Sequence, residues 1–296
     1  MSFTTRHTVL LSSILLLLLL LFSATAYSAR PTQILTDQLG RQVTLPAKVR
    51  RIIPLGGAAR YTVYLQAFDL VVGVEAMENR QPPTAGRPYN LAIRKQAELL
   101  PVVGEGRQKP LNLEAIISLR PDLIITAEAD RAQADHLSRT TGVPVLVINY
   151  GGMGILQQDK ALQALELMGV ALGRQERAKQ LIQFFTDQQR ELARRTRSVS
   201  RQSSLYVGAV SQRGHHGITS TDADYYPLDV LRTPHLAQQT GKHGHLHINR
   251  EQLLFWNPAV ILLDANGIPL VRDDYLRHPE YYRHLAAVRT NQVYRV

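Results

Sequence analysis

Apolar positions along this chain gather into short unbroken runs separated by longer amphipathic stretches, and the two kinds alternate. Arg51-Ile52-Ile53-Pro54-Leu55 reads as a buried strand, Gly56-Gly57 breaks it, and residues 58–68 carry a helical apolar pattern. Val71-Val72-Gly73-Val74 is the next strand. Leu123-Ile124-Ile125-Thr126 follows Pro121, residues 127–139 are helical, and residues 143–148 form another apolar run. Strands that alternate with helices predict a parallel sheet covered on both faces, because each crossover lays a helix against it. Ahead of this unit, residues 36–46 alternate around a Leu39-Gly40 turn and predict a short hairpin.

Two long helices come next. Residues 156–172 are amphipathic and end at Gly173; residues 175–197 place Ala178, Leu181, Ile182, Phe185 and Leu192 along one stripe. At 1.5 Å per residue the second helix spans roughly 35 Å, enough to carry the chain from one lobe to another. A second lobe opens with a strand at residues 204–210, passes through a glycine- and histidine-rich loop, and holds a further strand at Val260-Ile261-Leu262-Leu263.

An internal repeat ties the two halves together. Asn112-Leu113-Glu114-Ala115-Ile116-Ile117-Ser118-Leu119-Arg120-Pro121 recurs, at an offset of 137 residues, as Asn249-Arg250-Glu251-Gln252-Leu253-Leu254-Phe255-Trp256-Asn257-Pro258. Each copy predicts a short helix with Asn as N-cap, Glu in the first turn, and Pro closing it before a buried strand. Two copies are too few for a solenoid and imply two similar lobes with a cleft between them. Trp256 is read as a core residue at the end of its helix.

Composition narrows the class. The chain has 296 residues, 45% of them apolar and 20% charged, which excludes a disordered or collagen-like protein and leaves room for two domains. Residues 9–22 form one apolar run, interrupted by Ser12 and Ser13 and short of the ~20 residues a spanning helix needs. With Arg6 before it and Ala24-Thr25-Ala26 after it, this run reads as a secretory signal peptide over residues 1–26, rather than an uncleaved anchor. The absence of cysteine rules out disulfides and the lipid-bearing cysteine of bacterial lipoproteins, so a soluble periplasmic protein is expected. The net charge of +10 points to an anionic ligand or anionic envelope surface. Nucleic acid is not expected as a partner, because the basic residues are scattered and an exported chain rarely meets it.

These residues carry a family resemblance. Thr36-Asp37 with Gly40-Arg41, Val43 to Pro46, Arg51-Ile52-Ile53, the first repeat, Gly142-Val143-Pro144-Val145, and Glu251-Gln252-Leu253-Leu254 with Trp256-Asn257-Pro258 resemble the periplasmic binding proteins of ABC importers for metal chelates, from about Leu35 onward. The resemblance implies an α/β fold class: two Rossmann-like lobes with parallel sheets, joined by a single long α-helix that permits little hinge opening, with the ligand cleft between the lobes. The expected division is residues 27–173 for the first lobe, 174–198 for the linker and 199–296 for the second. Because the family usually runs on past such a last segment through another strand and helix, the second lobe is expected to be incomplete. The implied function is capture of an iron–siderophore, haem or corrinoid complex and its delivery to membrane permease subunits, by a monomer without catalysis or a cofactor of its own. Molybdate or another oxyanion, or a nickel complex, is the alternative ligand. The family also carries one permease-docking glutamate per lobe, and these match Glu114 and Glu251.

Ligands of parallel-sheet lobes meet the loops at the carboxyl ends of strands. The loops expected there offer Arg60 and Tyr61 beside the glycine pair, Arg80, Arg87 and Tyr89, then Tyr150, and in the second lobe Arg213, His215, His216 and Tyr225. Arginine and tyrosine suit an anionic chelate, since they supply charge-assisted hydrogen bonds and flat apolar faces. His215 and His216 are candidate metal ligands. His243, His245 and His247 would point to one side of an extended segment, as a metal site or as a solvated glycine-rich loop without an acidic ligand. No nucleophile-elbow, zincin or phosphate-loop motif occurs; an envelope metalloenzyme using the histidine-rich loop is the alternative of another class.

Overall fold

The computed structural model describes residues 31–79, 87–106, 110–127, 129–151, 157–197, 204–210 and 217–296. The signal-peptide reading, Arg80, Arg213, His215 and His216 therefore lie outside the described residues.

The hairpin forms as its alternation predicts. β1 (Thr32–Thr36) pairs antiparallel with β2 (Gln42–Pro46), in register from Thr32 opposite Pro46 to Thr36 opposite Gln42. It is pinned to the first lobe by Arg41, which bonds Asp37 at 2.7 Å, Asp135 at 2.7 Å and the Val145 carbonyl at 2.6 Å.

β3 (Ile52–Leu55) is wholly buried and leads through the glycine pair into α1 (Ala59–Tyr64). This helix is shorter than the apolar pattern to residue 68 predicts. Gln66 turns left-handed at φ 54°, and the Ala67 amide donates to the Thr62 carbonyl at 2.8 Å, closing the helix early. The expected strand at residues 71–74 is likewise reduced, to a bridge from Val71 to Ile52 and to β4 (Val74–Glu75). After α2 (Pro88–Ala97) come β5 (Val102–Gly104), α3 (Leu113–Ser118), β6 (Leu123–Thr126), α4 (Arg131–Thr141) and β7 (Val145–Val147). α4 starts four residues later than expected because the Asp130–Gln133 capping box sets its first turn.

β3, β6 and β7 pair in parallel in that spatial order, and β4 pairs in parallel with β5. The Val71 bridge brings that pair to the free side of β3, so chain order reverses at β3. Alternate side chains feed two cores: Ile53, Leu55, Ile124, Val145 and Val147 on one face, Ile52, Leu123, Ile125 and Leu146 on the other. Fully burying each such aliphatic is worth about 1.5–3 kcal/mol, so the covered sheet is a rigid platform for the loops at its carboxyl edge.

α5 (Gln158–Ala171) turns at Gly173 into α6 (Gln175–Thr196), the long helix expected at 175–197. The two pack closely: a Cβ on Gly169 would come within 2.6 Å of the Ala178 Cβ. Ala178 is buried against the first lobe, with Leu181 and Ile182 beside it, whereas Phe185, expected on the same stripe, is 40% exposed. α6 thus packs on the first lobe by its amino-terminal half.

The second lobe repeats the pattern. β8 (Leu205–Gly208) pairs in parallel with β11 (Val260–Leu263), and β11 with β12 (Val293–Arg295), again with alternate residues feeding two cores. Between β8 and β11 lie β9 (Ser220–Asp222), α7 (Tyr226–Val230), β10 (His245–His247) and α8 (Arg250–Trp256), with β9 and β10 antiparallel. α9 (Ile268–Arg277), α10 (Pro279–Arg283) and α11 (Ala286–Arg289) precede β12. Among the described residues no helix is long and apolar enough to cross a membrane.

Candidate functional site

In the first lobe the chain order reverses beside β3, and the crevice outside the carboxyl ends of β3 and β6 is where such sheets receive ligands. The chain leaves β3 through Gly56 and Gly57, both left-handed at φ 62° and 85°. A side chain at Gly57 would meet the Tyr150 hydroxyl at 3.0 Å. The turn is locked from both sides: the Gly56 amide donates to Glu75 at 2.8 Å, and the Tyr150 hydroxyl donates to the Gly56 carbonyl at 3.3 Å.

That turn places Arg60 at the start of α1, its guanidinium carbon 5.6 Å from the Tyr89 ring centre and 5.8 Å from that of Tyr150. Both rings hold the cation through their faces. Tyr61 is only 5% exposed and packs in the core with its ring 6.0 Å from Tyr150, so it supports that ring from behind. Beneath the cluster, Arg87 donates to the Tyr89 hydroxyl at 3.2 Å, which donates in turn to Glu78 at 3.2 Å; Asn90 donates to the other Glu78 oxygen at 2.5 Å. Burial raises the Glu78 carboxyl above its ordinary value, against these hydrogen bonds and the charges of Arg87 and Arg60. Burial also pushes the Tyr89 hydroxyl up to about 12, so it stays protonated at neutral pH.

The structure therefore brings Arg60, Arg87, Tyr89 and Tyr150 together, with Tyr61 behind them. Sequence reasoning did not single out Glu75, Glu78 and Asn90. The two carboxylates three residues apart after a strand, in Val74-Glu75-Ala76-Met77-Glu78, were the available signal.

In the second lobe the chain leaves β8 through Ala209, left-handed at φ 62° and pressed against Gly267, where a Cβ would come within 2.2 Å of the Ala209 carbonyl oxygen. Tyr225 is half-buried near the Asp222 and Asp264 carboxylates, and burial raises its hydroxyl above the ordinary value. Tyr226 reaches the first lobe, its hydroxyl donating to Gln158 at 2.9 Å.

The histidine cluster differs from expectation. The His245 and His247 rings lie edge to face at 4.9 Å, on one side of β10. His243 instead meets the Asp224 carboxylate at 3.1 Å, and the same Asp224 accepts from the Gly244 amide at 2.8 Å. An acidic partner is therefore present, supplied from a distant stretch of sequence. Asp222, almost fully buried on β9, lies opposite His245, and burial raises its carboxyl. His235, also missed, donates from Nε2 to the Ala223 carbonyl at 3.2 Å; burial holds its imidazole below the ordinary value, so it is neutral at pH 7. Among the described residues no three His, Cys, Asp or Glu side chains converge as a metal-binding set.

Glu114 and Glu251 occupy equivalent places. Asn112 accepts from the Ala115 amide at 3.0 Å and Asn249 from the Gln252 amide at 2.7 Å, so each acid sits exposed in the first turn of a capped helix. One turn beyond Glu251, Phe255 is 84% exposed. An open groove of about 700 Å³, lined partly by Arg131, Asp135 and Arg139, lies at the amino end of β7, away from the carboxyl edge.

A family described as periplasmic binding protein matches residues 67–296. The molybdate-binding protein MolA of Haemophilus influenzae is 26% identical over 280 residues, covering 86% of this chain and 76% of that protein. An uncharacterized ABC transporter substrate-binding lipoprotein of Bacillus subtilis, YvrC, is 23% identical over 271 residues, covering 88% and 77%. The solved structure of MolA bound to molybdate superposes with a TM-score of 0.69 at 22% identity, covering 89% of this chain and 82% of that one. The Helicobacter pylori protein CeuE with Ni(II) bound superposes with a TM-score of 0.64 at 19% identity, covering 89% and 81%.

Proposed function

Since the chain belongs to the periplasmic binding protein family, we propose that it is the substrate-capturing component of an ABC importer and that it holds an anionic ligand against Arg60. The observation that carries this reading is the Arg60 guanidinium seated between the Tyr89 and Tyr150 rings at the carboxyl edge of the sheet. Desolvated by the rings and backed by Arg87, such a cation offers a fork of donors that matches an oxyanion or a carboxylate. Capture of this kind needs positioning and charge, and no bond has to change.

A compact oxyanion is the first reading of the ligand, supported by the likeness to a molybdate-binding relative across most of both chains. A metal chelate is the second, supported by the likeness to a nickel-bound structure. The division into a first lobe, a linker and a second lobe near residues 174 and 198 fits this role, as does delivery through Glu114 and Glu251 to basic residues of the permease. The leader at residues 1–26 and the absence of a lipid-bearing cysteine support a soluble periplasmic location.

Calorimetric titration of the mature protein with molybdate, sulfate, a ferric catecholate siderophore and cobalamin tests the reading. Saturable molybdate binding, weakened about tenfold or more in Arg60→Gln, is expected. Binding of a chelate alone would select the second ligand class, and a folded protein that binds none of them would overturn the reading.

A further inference from the structure

The last turns of α6 and the turn after α7 enclose an open groove of about 420 Å³, lined by Arg190, Ala193, Arg194, Thr196, Arg197 and Arg232. Four of these six residues are arginines, and they come from two elements. None belongs to the cluster around Arg60.

The acids near them are Asp187 and Glu191 on α6 and the exposed Asp229, three residues before Arg232. Between Glu191 and Asp222 the sequence contains no Asp or Glu, while it contains Arg194, Arg195, Arg197, Arg201 and Arg213. Arg190 pairs with Asp187 at 3.1 Å, and Arg194 and Arg195 share Glu191 at 2.8 Å each. These pairs are exposed, and water screens them heavily. Arg197 and Arg232 make no ion pair among the described residues. Arg232 also holds a left-handed backbone, φ 51°, unfavourable for a residue with a Cβ, in the tight turn where the Thr233 amide donates to the Leu228 carbonyl at 2.9 Å. That φ is the one a helix C-terminal cap requires, with the Arg232 amide donating to the Asp229 carbonyl at 2.9 Å, and it fixes Arg232 at the groove. Like charges lining one groove repel, and an anion bound among them offsets that repulsion.

We infer that this groove binds a phosphate-bearing anion, clamped between Arg232 on the second lobe and Arg190, Arg194 and Arg197 on the linker helix. Phosphate oxygens accept paired N–H bonds from guanidinium forks on two sides at once, which a single carboxylate plane does not match. The groove, about 420 Å³ and open to solvent, has room for a diphosphate or a phosphodiester headgroup. The source is either a soluble polyphosphate or the phospholipid surface beside which an importer component works.

The test uses the mature protein and two probes: inorganic pyrophosphate by calorimetry, and co-sedimentation with phosphatidylglycerol–phosphatidylcholine vesicles against phosphatidylcholine alone. Pyrophosphate is expected to bind saturably, and the double variant Arg197→Gln/Arg232→Gln to weaken it about tenfold, while Arg272→Gln/Arg283→Gln, equal in charge and exposed elsewhere, changes it less than about twofold. Arg232→Gly separates binding from folding: it relieves the left-handed strain, so it should raise the melting temperature and still lose the anion. Vesicle binding that pyrophosphate displaces assigns a lipid headgroup; pyrophosphate binding without vesicle binding assigns a soluble anion. Absence of binding to both probes, or equal weakening by the two double variants, would overturn the site.

Discussion

At the scale of single residues, long-range partners decide what each charge does. Arg41 holds the hairpin turn, α4 and the start of β7 through Asp37, Asp135 and the Val145 carbonyl, with its own side chain 9% exposed. Arg41→Met would leave the Asp37 carboxylate buried and unpaired, so urea unfolding should show a loss of about 3–5 kcal/mol. Asp135→Asn removes the exposed partner, whose charge water screens, and should cost far less. Glu78 sets a pH dependence of the opposite sign from a salt-bridged acid. Its folded value lies above the ordinary 4.5, so the folded state holds the proton more tightly than the unfolded one. That stability contribution is complete below 4.5 and is lost as pH rises through the folded value. Glu78→Gln should flatten this decline in unfolding free energy measured from pH 4.5 to 7.5; a decline of unchanged slope would mean that another group causes it. The arginines and tyrosines of the candidate site were legible from residue type and from their place after predicted strands. Glu75, Glu78, Asp222 and Asp224 were not, because what matters about them is a partner on another segment, as His243 shows by bonding Asp224 nineteen residues away.

At the scale of elements, the repeat is the most regular device in the chain, and its agreement with the structure extends beyond the caps. Ile116 and Leu253 are equivalent in the alignment and both fully buried, and Arg120 and Asn257, again equivalent, turn left-handed at φ 46° and 42° before the proline. The strands that follow take equivalent neighbours, Leu123 beside Ile52 and Val260 beside Leu205. Asn112→Ala and Asn249→Ala should each destabilise by about 1 kcal/mol, since each frees one amide of a helix N-terminus. Leu253→Ala should cost more, about 2–5 kcal/mol, because it empties a packed site. If the proposed docking role holds, Glu114→Lys and Glu251→Lys leave ligand affinity and the melting temperature nearly unchanged while abolishing uptake in cells. Central strands and the repeat were legible because their signals are local: continuous burial, an N-cap, a proline stop. Element ends were less so. The first helix stops early at Gln66 and the fourth starts late at Asp130, where backbone turns and caps outvote apolar spacing.

At the scale of the whole molecule, two parallel sheets are joined through α6, and Tyr226 bonds Gln158 across the lobes. A continuous helix resists bending more than a strand crossing does, so ligand should change the radius of gyration measured by X-ray scattering very little, and Tyr226→Phe should weaken the tie without unfolding either lobe. A large compaction on ligand addition would instead require α6 to break. The sequence by itself determined the α/β class, the parallel central strands, the long linker and the duplicated helix device. All of these follow from periodicity and caps within a window of a dozen or so residues, where neighbours along the chain are also neighbours in space. Only the tertiary structure decided that Arg60 rests between Tyr89 and Tyr150, that Glu78 lies beneath them, that His243 faces Asp224, and that Arg232 meets the end of the linker helix. Those arrangements join segments far apart in sequence, and their energies depend on burial and charge proximity, which exist only once the lobes have folded.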